Sequence, residues 1–94
     1  MPKLNFVVYK VTFPNHKIYV GMDIGGRGHS IRYFGSWNTS LVEADFTPQV
    51  LRDFTLRKEI LFESTDKVEV RNAEKRFIVE LGSNDPKFGY NEWP

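Results

Sequence analysis

The chain has 94 residues, 40% of them hydrophobic and 27% charged, with a net charge of +1 and no cysteine. That length holds one domain spanning residues 1–94, and that composition excludes wholesale disorder. The missing thiols exclude zinc fingers, thiol nucleophiles and a disulfide framework together.

Asn5 to Phe13 is rich in Val, Phe and Tyr and reads as a strand, with Val7, Tyr9, Val11 and Phe13 on one face. Pro14-Asn15-His16 carries turn chemistry, and Lys17 to Gly21 is a second apolar run, so a β-hairpin is expected over the first 21 residues. Gly21 to Gly28 holds four of the seven glycines, at a spacing that matches neither the Walker loop nor the dinucleotide fingerprint. Ile31 to Gly35 reads as a short extended piece. Asn38 or Thr39 can cap a short helix through Asp45, and Pro48 suits the first turn of another that ends near Asp53. Phe54 to Glu63 alternates Phe54, Leu56, Ile60 and Phe62 against polar residues, which predicts a third strand. Asp66 and Glu69 form a capping-box variant at the head of the strongest helix, Lys67 to Leu81, which Gly82, Asn84, Asp85 and Pro86 close. Gly89-Tyr90-Asn91 reads as a terminal turn able to add a short strand. The expected architecture is α+β: a hairpin-based sheet of three or more strands with helices covering it.

No apolar run approaches the ~18 residues of a membrane span, and residues 1–5 lead into no signal-type apolar region. A cytoplasmic protein with no membrane partner is expected. Charge is unevenly spread. Residues 1–37 carry five Lys/Arg against one acid, Asp23, whereas residues 38–94 carry eight basic against eleven acidic residues. Half of the fourteen aromatics also lie in residues 1–37, so this half has the character of a face for phosphate-bearing ligands.

Three groups of side chains can carry chemistry. At about 100° per residue, Glu74 falls inside the arc of Val70, Ala73, Phe77, Ile78 and Leu81, where a carboxylate is expensive unless a cation, a metal or hydrogen bonds receive it. A structural ion pair, a marginal snorkelling position and a metal site all meet that requirement. Tyr9 and Tyr19 lie on the two arms of the hairpin, either as half-buried packing or as phenols whose pKa nearby cations lower from ~10. Arg27 and Arg32 are the cations closest to them in sequence, and an arginine can hold a phosphate bidentately. His16 and His29 lack the carboxylate neighbours of a metal site, and no Ser-His-Asp arrangement is present.

In order and spacing these residues resemble the GIY-YIG nuclease superfamily over roughly residues 6–91. Val7-Val8-Tyr9, nine residues, then Tyr19-Val20-Gly21 is similar to its paired signature, with Val7 standing where the family has its first glycine. Glu74-Lys75-Arg76-Phe77-Ile78 and the closing Gly89-Tyr90-Asn91 resemble its glutamate-bearing helix and terminal Gly-Tyr-Asn. Tyr33-Phe34-Gly35-Ser36 and the stretch Asp53 to Leu61 look like the middle of small stand-alone members. The resemblance implies a central three-stranded antiparallel sheet flanked by helices and a Mg²⁺- or Mn²⁺-dependent endonuclease acting on duplex or branched DNA. It assigns Tyr19 as general base or water-orienting group and Tyr9 as its positioning partner. It assigns Glu74 as the metal-binding residue, Asn91 as a local organiser, and an arginine to the scissile phosphate. Arg32 is the favoured match for that arginine, ahead of Arg27 and Arg57. On a chain this short, specificity would come from loops, a targeting partner or a homodimer. A non-catalytic nucleic-acid-binding module or accessory subunit that keeps the fold is the alternative, and a protein-interaction domain is a third reading.

Overall fold

The computed structural model describes residues 6–23 and 39–92. Of the Gly-rich loop expected from Gly21 to Gly28, residues 21–23 belong to a strand, whereas residues 24–28, the extended piece expected at 31–35 and both Arg27 and Arg32 lie outside the described residues.

Strands β1 (Phe6–Thr12), β2 (Ile18–Asp23) and β3 (Arg57–Ser64) form one sheet in the order β2-β1-β3, and both pairings are antiparallel. The described helices are α1 (Thr39–Asp45), α2 (Pro48–Arg52) and α3 (Lys67–Leu81). The fold is therefore the α+β architecture that the hydrophobic pattern implies.

The turn between β1 and β2 closes through His16 N–H donating to the Phe13 carbonyl at 2.9 Å and Phe13 N–H donating to the Lys17 carbonyl at 2.9 Å. Asn15 Oδ1 also accepts from Lys17 N–H at 3.1 Å. His16 takes a φ of 70°, the left-handed position of a three-residue hairpin loop.

As the central strand, β1 is buried on both faces. Val7, Tyr9 and Val11 point to one side, where Phe13, Tyr19, Val42 and Tyr90 join them and Leu41, Phe46, Leu51, Phe54 and Leu56 pack around them. Val8 points to the other side, against Val20 and the α3 residues Val70, Ala73 and Ile78. Val8, Val20 and Val70 are fully buried, each stabilising the fold by roughly 1.5–3 kcal/mol relative to exposure.

Two expectations about packing change. The third strand starts at Arg57 rather than Phe54, because Phe54 stacks edge-on against Phe46 at 4.9 Å and leans on Phe13 instead of joining the sheet. Nor do Ile60 and Phe62 share a face. The register slips by one residue between Val8/Phe62 and Tyr9/Ile60, which sends Phe62 into the α3 side and leaves Ile60 on the opposite side, 55% exposed. Leu81, placed in the apolar arc by helical periodicity, is the last residue of α3 and is 40% exposed.

The helix ends follow their capping residues. Thr47 caps α2 by accepting from Val50 N–H, with Pro48 in its first turn. Asp66 caps α3 by accepting from Val68 N–H at 2.8 Å. The expected reciprocal contact from Glu69 runs through Ser64, whose hydroxyl accepts from Asp66 N–H at 3.0 Å and donates to Glu69 at 2.7 Å. Gly82 closes α3 in the left-handed conformation, φ 69°.

Beyond α3 the chain returns along the outer edge of β2. Ile18 N–H donates to the Phe88 carbonyl at 3.0 Å, and Tyr90 N–H donates to the Ile18 carbonyl at 2.9 Å, forming a single parallel bridge rather than a full strand. Gly89 makes this approach possible. A Cβ there would stand 2.5 Å from the carbonyl oxygens of both Ile18 and Ser83.

Candidate functional site

The hairpin register sets Tyr9 opposite Gly21 and Tyr19 opposite Val11, so both tyrosines project from the same face of the sheet. Their ring centroids lie 6.4 Å apart at 49°. Gly21 gives them room: a Cβ there would sit 2.6 Å from the Tyr9 hydroxyl and 2.9 Å from Tyr19 Cε2. Tyr9 is fully buried, and Tyr19 keeps 8% of its surface exposed. Each ring therefore contributes to the core whatever its hydroxyl does.

The described charges beside these rings are Lys58 and Asp23. Lys58 Nζ lies 4.4 Å from the centroid of the Tyr9 ring, a cation–π contact. Burial pushes the Lys58 ammonium below the usual lysine range, and the field of Asp23 opposes that shift. Asp23 is itself buried on the last residue of β2, opposite Val7. Sequence spacing alone does not bring Lys58 to Tyr9, because that pairing depends on the slipped register between β1 and β3. Arg57, weighed for the phosphate, pairs with Thr12 and is exposed on the face opposite the tyrosines.

Glu74 sits on α3, which covers the Val8 face, so the sheet separates its helix from the Tyr9 and Tyr19 rings. Its carboxylate is half-buried and makes no hydrogen bond or ion pair among the described residues. Burial raises its pKa, and the neighbouring Lys75 lowers it less. No group of three His, Cys, Asp or Glu suited to a metal occurs among the described residues. A half-buried carboxylate with no partner among the described residues nevertheless fits Mg²⁺, which takes one or two carboxylates and otherwise keeps its waters.

Asn91 stands at the outer edge of β2. Its Nδ2 donates to the Val20 carbonyl at 2.7 Å, while Val20 N–H donates to its Oδ1 at 2.8 Å. The side-chain amide thus takes the place of a neighbouring strand's peptide group and continues the pairing that Ile18 begins. Asn91→Asp replaces the donor with a second acceptor facing the Val20 carbonyl. A loss of about 1–3 kcal/mol in denaturant unfolding at neutral pH is the expected result. An unchanged midpoint would show that the pairing contributes nothing to β2.

A network that periodicity does not signal ties this region together. The Tyr90 hydroxyl donates to Asp45 at 2.7 Å and accepts from Asn15 Nδ2 at 2.9 Å, while Lys17 Nζ reaches the same Asp45 oxygen at 2.6 Å. The hydrogen bond from Lys17 is the main reason the Asp45 carboxyl lies below its ordinary range. Burial, reinforced by the Asp45 carboxylate, pushes the Tyr90 phenol up to about 12. Tyr90 therefore stays protonated and joins the hairpin turn, α1 and the C-terminal segment. Its ring meets Phe13 edge-on at 4.6 Å.

The described residues thus gather Tyr9, Tyr19, Lys58 and Asp23 on one face, place Glu74 on the helix over the other, and assign Asn91 to the edge of β2. Comparison of the chain with protein-family models, with curated proteins and with solved structures finds no match.

Proposed function

We propose that the protein is a metal-dependent endonuclease of the GIY-YIG type that hydrolyses phosphodiester bonds in duplex or branched DNA. The observation that carries this reading is Glu74, a half-buried carboxylate without a partner among the described residues, on the helix where the resembled family keeps its metal ligand. Paired tyrosines on adjoining hairpin arms, and an asparagine directly after Gly89-Tyr90, support it further.

Glu74 would hold Mg²⁺ or Mn²⁺, which supplies charge neutralisation at the phosphoryl oxygens and at the departing oxygen. Tyr19 lies on β2, the edge strand whose next residue Val20 packs against α3, and from that edge it would orient or deprotonate the attacking water. Tyr9 packs behind it and fixes its ring. Arg32, or Arg27, would bind the scissile phosphate through charge-assisted hydrogen bonds. Asn91 holds β2, and with it Tyr19, at a fixed distance from the C-terminal segment.

The placement of the tyrosines on one face and α3 on the other favours a second reading, a nucleic-acid-binding module that keeps the fold without cutting. Incubating supercoiled, linear and branched DNA with the protein in Mg²⁺, Mn²⁺ or chelator separates the two. Cleavage that chelator abolishes is expected. Binding without cleavage of any substrate would leave the second reading, and equal cleavage in chelator would remove the metal.

A further inference from the structure

The hairpin turn and the segment after α3 enclose an open cleft of about 380 Å³ at the end of β1 and β2 where Thr12 pairs with Ile18. Asn15, His16, Lys17 and Ile18 form one wall, and Leu81, Lys87 and Phe88 form the other. Among the described residues no carboxylate lines it. Lys17 is already held by Asp45 at 2.6 Å, whereas Lys87 and His16 make no ion pair among the described residues.

Phe88 is the unusual member. Its ring is 57% exposed although its backbone is fixed on both sides. Phe88 N–H donates to the Asp85 carbonyl at 2.8 Å, and its own carbonyl accepts from Ile18 N–H. The ring edge rests beside Gly82, where a Cβ would lie 3.7 Å from Phe88 Cδ2. An aromatic ring is thus presented to solvent on a rigid support, so little freedom is lost when a ligand stacks on it. Across the cleft, His16 occupies a left-handed backbone position that a glycine would fill at lower cost.

We infer that this cleft binds an unpaired nucleotide of a nucleic-acid strand, its base stacked on Phe88 and its phosphate held by Lys87 and His16. Aromatic rings set among cations bind single strands in this way with little sequence preference, because every base offers a flat face. An acidic peptide would use the cations but leave the ring and the adjoining Leu81 without a counterpart. The inference rests on the nucleic-acid part of the proposed function, not on cutting, and it uses none of the residues assigned to hydrolysis.

Fluorescence anisotropy with a labelled oligodeoxythymidylate, a duplex of equal length and free thymidine monophosphate as competitor tests it. Phe88→Leu keeps the apolar contact at Gly82 and removes the flat face. It should weaken single-strand binding about tenfold and leave duplex binding unchanged. Phe88→Trp should restore affinity, and Lys87→Ala should flatten the salt dependence by about 0.7 in logarithmic slope. Equal affinity of the wild type and Phe88→Leu for the strand would overturn the inference, as would a monophosphate that binds as tightly as the strand. Metal-dependent cleavage with Phe88-independent binding removes this inference alone. Phe88-dependent binding without cleavage removes the nuclease reading alone.

Discussion

Glu74→Gln is expected to lower metal-dependent cleavage by on the order of 10³-fold while raising the melting temperature of the metal-free protein at neutral pH. The two effects have one cause. Burial raises the folded-state pKa of Glu74 above its unfolded value, and no protein cation pairs with it among the described residues. Above both pKa values the ionised carboxylate therefore destabilises the folded state. Below the unfolded pKa the carboxyl is protonated in both states, and the penalty disappears. The amide has the same shape without the charge, so its advantage should be largest at neutral pH and vanish as the solution is acidified through the carboxylate range. Added Mg²⁺ should stabilise the wild type, by about 2.7 kcal/mol at a hundredfold excess over Kd, and leave the variant unmoved. A buried ion pair behaves in the opposite way: removing one partner costs about 3–5 kcal/mol. A variant that melts well below the wild type, with the same response to Mg²⁺, would make Glu74 architectural.

The elements of the fold are legible in the sequence where local chemistry settles them. Val, Phe and Tyr in β1, the turn at Pro14-Asn15-His16, Thr47 with Pro48, and Asp66 with Gly82 each define an element or its end through interactions within a few residues. What depends on pairing across the chain is not legible. The slipped register at Val8/Tyr9 decides that Ile60 faces outward and that Lys58 covers Tyr9, and no period in β3 announces it. Helical periodicity correctly buries Val70, Ala73 and Ile78 but also buries Leu81, because it carries no information about what packs against the last turn of α3. The return of residues 88–91 along β2 is the largest such gap. Gly89 and Asn91 can be noticed as residue types, yet their meaning comes from Ile18, Ser83 and Val20, far away in sequence.

The candidate site divides along the same line. The sequence places Tyr9 and Tyr19 on the two arms of a hairpin, and the register that pairs Tyr9 with Gly21 and Tyr19 with Val11 brings them onto one face. Glu74 is read correctly as a carboxylate on the packed side of its helix, but helix periodicity does not tell which face of the sheet that side meets. The answer comes from β1, which buries Val7, Tyr9 and Val11 on one face and Val8 on the other, so that helices pack on either side of it. The Tyr90–Asp45–Lys17 network escapes sequence reading entirely, since its members come from three separate segments.

Tyr19→Phe should reduce turnover by about 10²–10⁴-fold with little change in stability. The ring, not the hydroxyl, makes the contact with Tyr9 at 6.4 Å and fills the space that Gly21 leaves open, so the phenylalanine keeps the packing. Tyr9→Phe provides the internal comparison. Tyr9 is completely buried, with Lys58 over its ring, whereas Tyr19 keeps 8% of its surface exposed. Loss of the Tyr9 hydroxyl should therefore cost less turnover than loss of the Tyr19 hydroxyl. Single-turnover rates in saturating protein separate this effect from binding, because neither substitution changes the net charge at neutral pH. A Tyr19→Phe protein that cuts at the wild-type rate across about pH 6 to 10, spanning the ordinary phenol range, would leave Tyr19 a packing residue. Turnover falling equally in both variants would instead mean that the pair acts through the shape of the hairpin, with the proton carried elsewhere.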